Sequence, residues 1–448
     1  MAMTLRKAKP ASEQSGEQFA GMRKELHQRL ITCIDLSALG TLTDVELREE
    51  LRRGAEELCS YQPDLLNREE RERLIDEVLN ETLGLGPLEI LLRDPDVSDI
   101  LINGPNTVYV ERDGLLQRSG VTFHDEQHLV DIVQRIVTRV GRRIDESSPM
   151  VDARLPDGSR INAVIRPLAL DGALVSIRRA AAKPFKAADL IARGSAAPEM
   201  LEFLAACVQA RLNIIISGGT GSGKTTLLNM LSAYISDDER IATIEDAAEL
   251  HLQQSHVARM ETRPANLEGR GEVTARDLVK NTLRMRPDRI LVGECRGAEA
   301  FDMLQAMNTG HDGSLTTIHS NNTREAVSRL EMLVGMAGFD LPLWFIRRQI
   351  ASSVDVVVQA SRLSGGQRKI VQISEITGTD SEVVQMHDIF TFEQTGVDEN
   401  HVAQGHFAAT GIRPNCHAKL AAAGIALPEQ MFQRRVIPIP TQNGSPGE

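Results

Sequence analysis

The sequence predicts an α/β protein: a parallel-sheet nucleotide-binding core, preceded by an α+β domain and by a helical segment at the N-terminus. Three observations predict it. Short apolar strands alternate with amphipathic helices from about residue 212 onward, the order that a parallel sheet requires. A glycine-rich turn joins the first of these strands to its helix, in LNIIISGGTGSGKTT (212–226). Upstream, between 85 and 182, short strands with turn signals flank one long helical pattern, as an α+β unit does.

The elements follow in order. Residues 1–17 are polar and expected to be disordered. The segment 18–84 carries three helical patterns. Phe19, Met22, Leu26 and Leu30 share one face; Leu47, Leu51, Ala55 and Leu58 share another, with Thr43 as N-cap; Leu74, Ile75, Val78 and Leu79 line a third helix over 71–83. The many Glu and Arg residues between them read as a solvated face, with a docking surface as the alternative. In the α+β domain, 85–182, strands are expected at 100–102 and 108–111 before the Asp113-Gly114 turn. A helix over 126–140 turns Leu129, Ile132, Val133, Ile136 and Val137 inward, and strands follow at 151–155, 160–165 and 174–178. Residues 183–200, with Pro184, Gly194 and several alanines, read as a linker.

The core and a C-terminal extension occupy 201–448. Strands are expected at 212–217, 241–244, 290–292 and 314–318. Helices are expected over 223–235, from Thr274 to a stop before Pro287, and over 298–307, 323–336 and 343–351. Strands at 354–359, 369–376 and 389–393, a polar stretch and a short helix near 418–423 complete the chain.

Composition narrows the function classes. The 448 residues are enough for roughly three domains, and 42% hydrophobic with 25% charged residues is ordinary globular composition. A net charge of −12 argues against an open nucleic-acid-binding surface, although a basic channel inside a ring is compatible with it. No run approaches the ~18 apolar residues of a membrane span, and no signal stretch opens the chain, so a cytoplasmic location is expected. Cys33, Cys59, Cys207, Cys295 and Cys416 are scattered and never in C-x-x-C spacing, which suits a reducing compartment rather than a disulfide framework or zinc site.

The chemistry gathers on the glycine-rich turn. Gly218, Gly223, Lys224 and Thr225 fit the G-x-x-x-x-G-K-[ST] phosphate loop, and Gly219, Thr220, Gly221, Ser222 and Thr226 complete it. Glycines let backbone N–H groups curl around β- and γ-phosphates at the positive end of the following helix. Lys224 brings a point charge, and the Thr225 hydroxyl is a ligand for magnesium. An ordinary glycine-rich connection does not need strand, loop and helix in this order. The implied ligand is a nucleoside triphosphate, ATP, with Mg2+.

Ligands of open parallel sheets sit beyond the carboxyl ends of the strands, where Glu245, Asp246, Glu294 and His319 all fall. Glu294, closing the apolar strand RILVGE, is the candidate for polarising the attacking water. Gly293 stands where a magnesium-side aspartate often sits, so Glu245 is expected to share the metal and water work. His319, polar at a strand end, is placed to sense or bond the γ-phosphate. Singly, a strand-end Glu is a salt bridge or cap about as often as a catalyst. Around one phosphate loop they form a constellation.

Four ordered segments carry a resemblance. GGTGSGKTT, TIEDAAEL (243–250), RPDRILVGECRGAEA (286–300) and GHDGSLTTIHSNN (310–322) resemble the Walker A, Asp, Walker B and His boxes of the secretion-superfamily traffic ATPases. DARLPDGSRINAVIRP (152–167), FEQTGVDENHV and ATGIRP resemble the CpaF-like branch, which powers tight-adherence (Flp) pili. The similarity covers roughly residues 70–430. It implies a RecA-like ATPase domain behind a sensor-like (PAS-like) N-terminal domain, a homohexameric ring, and pilin movement through inner-membrane platform proteins, with no nucleic acid. It also implies that Glu245, Glu294 and His319 carry the box functions, with His311, which opens the His box, a weaker candidate, and that Arg154, Arg160 and Arg178 reach the phosphates. Without the resemblance, those arginines read as solvated hairpin charges. LSGGQ (363–367) spells the signature of ABC transporters, but it follows the Walker B segment and reads as a hairpin turn.

Overall fold

The computed structural model describes residues 44–60, 68–82, 85–112, 114–179, 185–263, 265 and 270–439. The polar tail, the pattern on Phe19–Leu30 and the proposed cap Thr43 lie outside them. The chain divides into two compact units, Met1–Ala180 and Ala181–Glu448.

In the first unit, helices Asp44–Ser60 and Arg68–Thr82 pack against each other. Leu51, Ala55, Leu74, Ile75 and Leu79 are buried, while Glu49, Glu50, Arg52, Arg53, Glu56 and Glu57 are exposed, so the charged face is solvated. A short helix, Leu88–Arg93, follows where the sequence suggested none, seated by buried Leu88 and Leu91. Six strands come next: β1 (Val97–Asn103), β2 (Val108–Arg112), β3 (Leu115–Arg118), β4 (Met150–Arg154), β5 (Arg160–Val164) and β6 (Leu174–Arg178). They form one antiparallel sheet in the order β3-β2-β1-β6-β5-β4. Helix Glu126–Arg139 starts where Asp125 accepts the His128 N–H, and it buries Leu129, Ile132, Val133, Ile136 and Val137. They share a core with Ile100, Ile102, Val108, Ile161 and Ile177 of the sheet.

The second unit starts earlier than a linker reading allows. Helices Ala187–Ala192 and Pro198–Gln209 occupy most of 183–200, and Ala196, Ala197 and Met200 are buried in the unit's main core. Small residues there serve close packing rather than flexibility. Ten strands make one mixed sheet: β7 (Ile214–Gly218), β8 (Ile241–Glu245), β9 (Val257–Glu261), β10 (Arg289–Cys295), β11 (Leu315–Ile318), β12 (Val356–Arg362), β13 (Arg368–Asp380), β14 (Val383–Val397), β15 (Ala403–Ala409) and β16 (Arg435–Ile437). The order is β16-β15-β14-β13-β12-β7-β11-β10-β8-β9, with β12 through β9 parallel and β13 to β16 added antiparallel.

Helices cover both faces of the parallel part, so β7 is apolar on both. Ile214 and Ile216 face the core of helices Pro198–Gln209 and Lys224–Ser232. Ile215 faces the core of Glu299–Asn308, Thr323–Gly335 and Leu343–Ser353. Helix Ala275–Thr282 carries the expected Thr274–Asp277 capping box. Among the described residues, no helix is long and apolar enough to cross a membrane.

Candidate nucleotide site

Parallel pairing puts the carboxyl ends of β7, β11, β10 and β8 side by side along one edge. The phosphate loop leaves β7 at Gly218 and turns into helix Lys224–Ser232 at Gly223, which has a left-handed φ of 95°. A Cβ on Gly218 would lie 2.4 Å from both the Ala360 carbonyl oxygen and Ser222 Oγ, so only glycine fits that close approach. Ser222 Oγ donates to the Gly219 carbonyl at 2.9 Å, closing the loop on itself. Lys224 Nζ donates to the carbonyls of Gly218 and Gly219, each at 3.0 Å, which places its charge over the loop. Thr220 is exposed, while Gly219, Gly221, Thr225 and Thr226 are half-buried at the surface of the loop.

Glu245, the last residue of β8, is 4% exposed. Its Oε2 accepts the N–H groups of Glu249 (2.7 Å) and Leu250 (2.8 Å), so the carboxylate shapes the acidic turn that follows the strand. Among the described residues, its Oε1 is buried without a hydrogen-bond partner. A Cβ on Gly293 would sit 3.1 Å from Glu245 Cγ. That explains the glycine before Glu294: the Glu245 side chain passes close by the space a larger residue there would take.

Glu294 lies near the end of β10, its side chain 23% exposed. Arg296 donates to its Oε2 through Nε at 2.9 Å and Nη2 at 2.6 Å, and reaches Asp246 Oδ2 at 3.6 Å. Sequence reading passed over Arg296; its only signal was its place two residues beyond Glu294. His319 follows β11 and is exposed at the same edge, while the neighbouring Ser320 Oγ meets Ser217 Oγ of β7. His311 lies at the other end of β11, before Ser314, whose hydroxyl donates to the His311 carbonyl at 2.8 Å. A full strand separates it from the phosphate loop, so it leaves the site.

The arginines of the first unit fall on one row. Arg154 opposes Arg160, Arg160 opposes Arg178, and Arg178 opposes Asp99 across β4, β5, β6 and β1. Directly opposed side chains share a face, so this end of the sheet presents three guanidinium groups together. Asp99 faces Arg178 Nε at 3.4 Å, and Asp152 is 3.9 Å from Arg160.

The family description "Type II/IV secretion system protein" matches residues 81–411, most of both units. The chain belongs to the type II/IV secretion system ATPase family. A Mycobacterium tuberculosis (strain H37Rv) protein named for conjugal transfer is 40% identical over 296 residues, 65% of this chain and 84% of that one. The type IV secretion system protein VirB11 of Brucella suis is 33% identical over 301 residues, 61% and 83% of the two chains. The crystal structure of the Brucella suis VirB11 ATPase in complex with sulphate aligns with 64% of this chain and 94% of that one, at 31% identity and a TM-score of 0.36.

In this secretion ATPase the buried Glu245 has a consequence for stability. Burial pushes its carboxyl above the usual value of 4.5, against the pull of the Leu250 and Glu249 N–H groups and of Arg259. A raised carboxyl favours the folded state in its protonated form, so its contribution is full below pH 4.5 and is lost as pH rises through the folded value. The melting temperature of Glu245→Gln minus that of the parent, both without nucleotide, therefore increases as pH climbs from 4.5 to neutrality. A difference that stays flat or shrinks over that range contradicts the assignment.

Proposed function

We propose that the chain is a motor of the CpaF-like branch that hydrolyses ATP to ADP and phosphate and works as a homohexamer at the cytoplasmic face of the inner membrane. Its work is assembly, or assembly and retraction, of a Flp-type type IV pilus, delivered to inner-membrane platform proteins and only indirectly to pilin, with no nucleic acid bound. One observation carries the chemistry: the phosphate loop, Glu245, Glu294 and His319 all stand on the carboxyl edge of β7, β8, β10 and β11.

The loop N–H groups and Lys224 hold the β- and γ-phosphates, with the helix behind them adding positive potential. Glu294 orients the attacking water with the carboxylate oxygen that Arg296 does not take, and it accepts the proton as the bond to the β,γ-bridging oxygen breaks. His319 contacts the γ-phosphate from the end of β11. The site's oxygens also fit magnesium: Glu245 Oε1 is a buried acceptor with no partner, and Thr225 brings a hydroxyl to the start of its helix. Held by these oxygens, a magnesium ion would supply positive charge beside the phosphates. Arg154, Arg160 and Arg178, as a row of like charge, complete the cage around the γ-phosphate within a subunit or from its neighbour.

The pilus branch rests on DARLPDGSRINAVIRP, FEQTGVDENHV and ATGIRP. A second reading, a type IV secretion ATPase, is favoured by the likeness to VirB11 over 83% of its length. Turnover of the purified protein separates the readings. The cytoplasmic domains of pilus-platform proteins stimulate it on the first reading, and secretion-channel proteins do so on the second. Stimulation by DNA alone sinks both in favour of a nucleic-acid translocase.

A further inference from the structure

The hairpin that carries LSGGQ lies against the phosphate loop. Leu363 N–H donates to the Gln367 carbonyl at 2.7 Å and Gly366 N–H to that of Leu363 at 3.1 Å, so the segment is a tight turn between β12 and β13. Gly365 has a φ of 78°, and a Cβ there would meet Val402 Cα at 2.8 Å, so the turn is seated on the loop before β15. At its two ends, Arg362 and Arg368 stand directly opposite each other. Arg368 Nε donates to the Gly221 carbonyl at 2.9 Å. Arg362 Nη1 is 3.5 Å from the position of a Cβ on Gly221, and Arg368 Cδ is 3.7 Å from that on Gly223. Both guanidinium-bearing side chains thus flank the glycines that wrap the phosphates.

Sheet order says which part of the nucleotide they meet. Glu245, Glu294 and His319 stand at the carboxyl ends of β8, β10 and β11, all on one side of β7, and the proposed hydrolytic roles of these residues put the γ-phosphate on that side. β12 is the other neighbour of β7 and runs parallel to it, with Gln359 beside Ser217 and Ala360 beside Gly218. The α-phosphate and nucleoside therefore leave the loop over the carboxyl end of β12, where Arg362 stands.

We propose that Arg362 and Arg368 form the nucleoside-side wall of the nucleotide site. Arg368 is a positioning residue that holds the phosphate loop through the Gly221 carbonyl, and Arg362 contacts the α- and β-phosphates of ATP and ADP alike. The inference rests on the phosphate loop being an ATP site.

The test is calorimetric binding of MgATP and MgADP to the full chain, with steady-state turnover, for the parent, Arg362→Ala, Arg368→Ala and Arg368→Lys. Loss of a charge-assisted contact weakens both nucleotides by the same factor, about tenfold, in each alanine variant, and the rise in KM exceeds any fall in kcat. Arg368→Lys recovers only part of the loss, because an ammonium does not reproduce the guanidinium's reach to Gly221. ADP affinity within about twofold of the parent in both alanine variants overturns the proposal, as does a loss confined to ATP. A lower melting temperature with unchanged ADP affinity reduces Arg368 to a structural brace and also counts against it. If Arg368→Ala does not fold, Arg362→Ala decides alone. A parent chain that binds neither nucleotide removes the ATP reading itself, an outcome distinct from failure of the two arginines.

Discussion

Alanine at Arg154, Arg160 and Arg178 together lowers ATP turnover by about a thousandfold or more, while ADP affinity stays near that of the parent. One lysine on a phosphate loop leaves much of the charge developing on the γ-phosphoryl oxygens unbalanced. Cations supplied from outside the loop meet that charge, and they act on the transition state more than on the bound ground state. The register Arg154–Arg160–Arg178 puts three guanidinium groups on one face of one small sheet, which surface solvation alone does not require. Their effect belongs in kcat, unlike that of Arg362 and Arg368, which belongs in affinity. Because the row stands on the unit of residues 1–180, it would also tie nucleotide state to domain movement. Single and triple variants, checked for unchanged assembly by light scattering, measure this. Parent-rate hydrolysis by the triple variant returns the arginines to solvated hairpin charges.

Glu294→Gln is expected to lower turnover by about a hundred- to ten-thousandfold with ATP still bound. The amide is nearly isosteric. It can turn its oxygen to Arg296, preserving the pair that donates at 2.9 and 2.6 Å, and leave the NH2 where the carboxylate would have taken a proton. Geometry is kept and basicity lost. Single-turnover hydrolysis beside nucleotide binding reads the two apart. A variant that binds and hydrolyses at the parent rate transfers the role to Glu245.

Much of the second unit was readable along the chain. The parallel strands at the phosphate loop and RILVGE are apolar runs because helices bury both their faces, SLTTI is a short buried β-branched run beside them, and each is followed by polar residues at the same edge. The capping box at Thr274 and the turn at LSGGQ are likewise local and were recognisable. β9, with the sequence VARME, was not, because an edge strand only half-buried by the cores it touches carries no apolar run. β15 and β16 were missed for a related reason. AQGHFAA and RVI are short and of mixed polarity, and they are strands because β14 offers a hydrogen-bonding edge to β15 and β15 in turn offers one to β16. The alanines of 183–200 looked like a linker, whereas small side chains there let helices approach the core closely.

The sequence by itself determined the phosphate-loop motif, the succession of strands and helices along the chain and the polar groups at the strand ends, because each depends on near neighbours in the chain. Tertiary structure decided what surrounds them. Arg368 reaches Gly221 across 147 residues, Gly293 is glycine because Glu245 of another strand packs beside it, and Arg296 rather than solvent holds Glu294. β11 itself separates His311 from the carboxyl edge, and sheet order set β12 against β7 on the side away from β11, β10 and β8. These are contacts between chemically ordinary residues far apart in sequence, and no local pattern of residues encodes which of them meet.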